Sequence, residues 1–81
     1  MTFTTNNPRI AIRTVDLGAN MTRIDVCDCY KGIVIAVIRP LDIKDDEGRG
    51  MYEVETKTAC KTATATKAQT TINHLAGRRP A

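Results

Sequence analysis

The chain has 81 residues, a net charge of +3, 42% hydrophobic residues and 26% charged ones. That is room for one small core, and it excludes a large enzyme, a Rossmann domain or a TIM barrel. Trp is absent and the aromatics are Phe3, Tyr30 and Tyr52, so the core has to be built from Ile, Val, Leu and Ala.

Met1 to Pro8 is rich in Thr and Asn and ends in proline. It reads as a flexible N-terminal arm (residues 1–8) ahead of a single domain over residues 9–79. Ile10 to Asp16 alternates as a strand, with Ile10 and Ile12 on one face and Ala11, Arg13 and Val15 on the other. Leu17-Gly18-Ala19-Asn20 is a turn, because Gly and Asn tolerate positive φ. Thr22 to Tyr30 is the second strand, with Ile24, Val26 and Tyr30 on one face and Arg23, Asp25, Cys27 and Cys29 on the other. Lys31-Gly32 between two β-rich runs marks a tight hairpin.

Ile33 to Arg39 is apolar on both faces, Ile33, Ile35 and Val37 against Val34, Ala36 and Ile38, the pattern of a central strand covered on both sides. Pro40 marks a bulge or an edge exit, after which the strand resumes through Leu41 and Ile43. Asp45 to Gly50 is a solvated acidic turn. The fourth strand follows from Met51 to about Thr58, with Tyr52 and Val54 inward and Glu53 and Glu55 outward. Thr62 to Thr66 alternates like a strand but carries little hydrophobicity. From Ala65, the residues Ala68, Ile72, Leu75 and Ala76 recur at helical spacing, which predicts a helix from about Thr62 to Ala76. Thr66, Thr64 or Thr62 caps its start, and Gly77 with Arg78 and Arg79 suits its end. The expected fold is therefore α+β: a four-stranded antiparallel meander with one C-terminal helix packed on one face (ββββα).

A helix offering only Ile72 and Leu75 as large apolar residues is a thin cover. With the two-sided third strand it predicts a homodimer, or a partner on the open face. No run is long enough to span a bilayer, which takes roughly 20 apolar residues. Cys27, Cys29 and Cys60 are odd in number and follow no secretory leader, which points to a reducing, cytoplasmic setting.

Three patterns bear on chemistry. Cys27, Cys29, Cys60 and His74 number enough for a tetrahedral zinc site. However, the Cys27-Asp28-Cys29 spacing is tighter than a zinc knuckle, so the cysteines read as small hydrophobes and neither metal nor cofactor is expected. Asp45, Asp46 and Glu47 form an acidic tip whose spacing does not match a calcium loop. Lys67, Thr71, His74 and Arg78 share a helix face, a basic stripe suited to phosphate or an acidic partner. No nucleophile is positioned beside His74. A nucleic-acid reading uses Arg9, Arg13, Lys67, Arg78 and Arg79, but Tyr30 and Tyr52, the stacking candidates, fall on inward faces.

The polar arm, the meander around Ile33-Val34-Ile35-Ala36-Val37-Ile38 and the terminal helix Thr66 to Ala76 resemble, in architecture, the small accessory proteins of bacteriophages and mobile elements, some anti-CRISPR proteins among them. The resemblance implies inhibition of a bacterial host protein by binding, without catalysis. Asp45, Asp46, Glu47, Lys67, His74 and Arg78 are the expected binding residues, and a small nucleic-acid-binding regulator is the alternative.

Overall fold

A computed structural model describes residues 3–77. It has five strands, β1 (Ile10–Gly18), β2 (Met21–Asp28), β3 (Ile33–Lys44), β4 (Gly50–Thr56) and β5 (Cys60–Thr64), then helix α1 (Ala65–Gly77). The strands pair antiparallel in chain order as one open sheet, so the α+β meander with a terminal helix stands and the strand count rises from four to five. The added strand pairs Glu55 with Cys60 through Met51 with Thr64. As an edge strand it directs only Ala63 against the core, which is why its hydrophobic signal is faint. Helix α1 then begins at Ala65, with the Thr64 hydroxyl accepting the Lys67 amide at 3.3 Å as its N-cap.

Ala68 and Ile72 are fully buried and Ala76 nearly so, against Ile24, Val26, Ala36, Ile38 and Val54 of the sheet. The helix lies over β4 and β5. Residues 3–8, expected as an arm outside the core, lay a second strip of cover beside it. Phe3 is 4% exposed and meets Tyr52 edge-on with ring centroids 5.5 Å apart. Gln69 exchanges two hydrogen bonds with the Thr4 backbone, and the Asn7 amide donates to the Ala76 carbonyl. The thin helix is thus supplemented from within the chain.

The β1–β2 connection is Ala19-Asn20, both at positive φ (52° and 62°), the conformation of a tight hairpin that follows the sheet's twist. The β2–β3 connection is longer than expected. β2 stops at Asp28 because its carboxylate accepts the amides of Tyr30 and Lys31 at 3.0 and 3.1 Å, and Gly32 donates to the Asp28 carbonyl at 2.8 Å. An Asp side chain satisfying the backbone two and three residues on turns the chain there. Tyr30, expected inward, consequently leaves the sheet and is 79% exposed.

β3 also departs from simple alternation. Val26 pairs with Ala36 but Cys27 pairs with Val34, so Ile35 is an extra residue, a β-bulge. Residues opposite one another across an antiparallel pair share a face. Past the bulge Ile33 therefore lies opposite Asp28, on the helix side, instead of beside Val37. Ile35 packs against the core as well. A second register shift follows Pro40, and the strand continues to Lys44.

Candidate interaction surfaces

The meander puts unlike charges at its two ends. At one end the β3–β4 hairpin carries Asp42, Asp45, Asp46 and Glu47 against Lys44 and Arg49. At the other, the basal end, lie Arg9 at the entry to β1, Lys31 in the β2–β3 turn and Lys57 in the β4–β5 turn. The twelve residues of β3 separate the two ends by roughly 35–40 Å, at about 3.3 Å per residue.

At the tip, the expected acidic trio divides. Asp45 builds the turn: its carboxylate accepts the amides of Glu47 and Arg49 at 3.0 and 2.8 Å and the Arg49 guanidinium at 2.8 Å. The Arg49 amide, with help from the Arg49 side chain and the Glu47 amide and against some desolvation, holds the Asp45 carboxyl below the ordinary carboxylate range. Asp46 and Glu47 are exposed, and Glu47 reaches Arg49 at 3.4 Å.

On the helix, Lys67 and His74 are exposed and Thr71 is half-buried, its hydroxyl bonded to the Lys67 carbonyl. Arg78 and Arg79 lie outside the described residues. The four soft ligands are not brought together. Cys27 and Cys60 belong to β2 and β5, three strand spacings or about 14 Å apart, while His74 stands on the helix. Among the described residues no group of three or more His, Cys, Asp or Glu converges as a metal site. Desolvation of the thiol and the nearby Glu53 and Glu55 carboxylates push Cys60 up, away from thiolate.

The sheet face away from the helix is charged rather than apolar. One row across it reads Arg13, Asp25, Val37, Glu55, Cys60. Arg23 holds Asp25 through two bonds of 2.8 and 3.2 Å, leaving Asp25 5% exposed. Arg39 bridges Glu53 and Glu55 at 3.1 and 2.9 Å. With the bulge carrying Ile33 and Ile35 to the helix side, Val34 and Val37 are the residues of that β3 stretch left on this face. The expected apolar sheet face is therefore largely absent. The charged side chains of β2 and β4, together with the bulge, which alternation in the sequence does not reveal, are the reason.

The basal end holds a surface that sequence reasoning did not assemble, an open groove of about 680 Å³. Ile33, Ile35 and Leu75 form apolar walls, and Arg9, Lys31 and Lys57 bring positive charge. Asp28 is the acid lining it, and it accepts Arg9 Nε at 3.0 Å and the two turn amides. Burial pushes the Asp28 carboxyl up, but the Lys31 amide, the Arg9 side chain and the Tyr30 amide together outweigh it. They hold the group below the ordinary range. The Arg9 guanidinium lies over the Tyr30 ring, 5.2 Å from its centroid.

No described helix is long and apolar enough to cross a membrane. No protein-family model, curated protein or solved structure matches the chain.

Proposed function

We propose that this chain is a non-enzymatic protein-binding module of the cytoplasm, an inhibitor of phage type that works by occupying a surface of a bacterial host protein. The observation that carries the reading is the basal groove. It joins the exposed Ile33, at 39% exposure, and the half-buried Ile35 and Leu75 to three cations, and an apolar recess with a polar rim is how a protein contact is built. The tip and the helix stripe, 35–40 Å away or on another face, are secondary contacts in this reading.

A second reading, binding of single-stranded nucleic acid, is favoured by one observation. Tyr30 faces solvent with Arg9 across one side of its ring, the makings of a stacking platform beside Lys31. One experiment separates the two. The tagged protein is used to capture its ligand from bacterial lysate, with and without nuclease, and the bound species is identified. A defined protein that survives nuclease supports the protein-binding module; bound material that disappears with nuclease refutes it in favour of the second reading.

A further inference from the structure

Resting on the protein-binding reading, we infer that the basal groove is the docking site for an acidic peptide segment of the partner carrying aliphatic side chains. Two independent features meet there. The bulge at Ile35 rotates Ile33 and Ile35 out of the sheet's alternation and onto the helix side. There Leu75 of α1 forms the opposing wall. These are pockets for aliphatic side chains, with Ile33 and Leu75 only partly covered.

The second feature is charge. Lys31 and Lys57 stand on adjoining turns at the mouth, both exposed, and neither has an ion-pair partner among the described residues. Asp28 is paired with Arg9 and makes no ion pair with either lysine. The groove therefore presents two unneutralised ammonium groups beside aliphatic walls. The complementary ligand has carboxylates spaced between Leu, Ile or Val residues. A nucleic-acid strand satisfies the cations but not the walls, since a single aromatic, Tyr30, is available to stack bases and Arg9 already covers one side of it.

The test is fluorescence anisotropy with four labelled probes. These are a decapeptide alternating Asp/Glu with Leu/Ile, the same peptide with Lys for its acids, the same with Ser for its aliphatics, and oligo-dT. The first probe should bind, more weakly as salt rises. Lys31→Glu with Lys57→Glu should weaken it by about tenfold or more, and the milder Lys31→Ala with Lys57→Ala should weaken it less. Ile33→Ser should also weaken it, while Lys44→Glu at the far end should not. Circular dichroism of each variant confirms the fold.

Equal binding of the Ser peptide, tighter binding of oligo-dT, or no peptide binding by about 1 mM overturns the inference. So does self-association abolished alike by the groove variants and by Asp46→Lys, which makes a second copy's tip the occupant. Capture of a protein from lysate that is indifferent to the Lys31/Lys57 variants overturns the groove while leaving the binding module standing. Capture of nucleic acid alone removes both.

Discussion

Phe3 is 4% exposed and packs edge-on against Tyr52, so its ring belongs to the core although it sits close to the chain's start. A Thr/Asn-rich segment ending in proline gives no periodicity by which to see this, because one aromatic in eight residues makes no pattern. Phe3→Ala should cost about 3 kcal/mol, toward the lower end of buried Phe truncations, read as a shift of the urea midpoint. Removal of residues 1–7 should lower the melting temperature at least as much. An unchanged midpoint would return the segment to the status of a dispensable arm.

Asp28 makes a pH-dependent contribution. Its folded carboxyl titrates below the ordinary range, so the stability it adds is present above an unfolded pKa of about 4 and is lost as pH falls through the folded value. Asp28→Asn should therefore be less stable than the parent at pH 7, and the gap should close as the two are titrated down toward pH 3. A gap independent of pH would mean that the side chain acts by shape alone. The same side chain explains Tyr30: alternation assigned it inward, and the local turn made by Asp28 overrides alternation.

At the scale of elements, most of the sheet was legible. Ile10 and Ile12, Ile24 and Val26, and Tyr52 and Val54 each lie on the face their alternation assigns, and Ala68, Ile72 and Ala76 form the buried stripe of the helix. Two elements were not. β5 directs one small side chain inward, and the bulge in β3 adds a residue that no local preference marks. The strand-to-helix boundary rests on a cap. Thr64→Ala should cost about 1 kcal/mol, whereas Thr66→Ala should cost little, since it is the Thr66 carbonyl that accepts the Thr70 hydroxyl. Equal losses at both would place the helix start elsewhere.

The tip hairpin makes a parallel distinction. Asp45→Lys should lower the melting temperature by a few degrees, because it strips the turn of three hydrogen bonds to one carboxylate. Asp46→Lys with Glu47→Lys should leave the melting curve in place, as exposed charges usually do. If the pair destabilises as much as Asp45→Lys, the tip is a structural unit rather than a surface.

Over the whole molecule, the ends differ in charge, and the basal end pairs its charge with a groove. The dimer expected from an apolar open face loses its main support, since that face carries Arg13, Arg23 and Arg39 interleaved with Asp25, Glu53 and Glu55. Composition and alternation indicated the amounts of apolar and basic material but not where they meet, because the meeting point depends on the bulge, the Asp28 turn and the return of the N-terminal segment.

The five lysines, all exposed, report on this directly: Lys31 and Lys57 at the groove, Lys44 near the tip, Lys61 on β5 and Lys67 in the first turn of α1. Lysine acetylation, read by mass spectrometry on the free protein and on the protein bound to its captured partner, shows whether the partner sits in the groove. Lys31 and Lys57 should lose reactivity on binding, and should lose more of it than Lys44 and Lys67. Protection of Lys44 or Lys67 with Lys31 and Lys57 still reactive would place the partner on the tip or the helix and not in the groove.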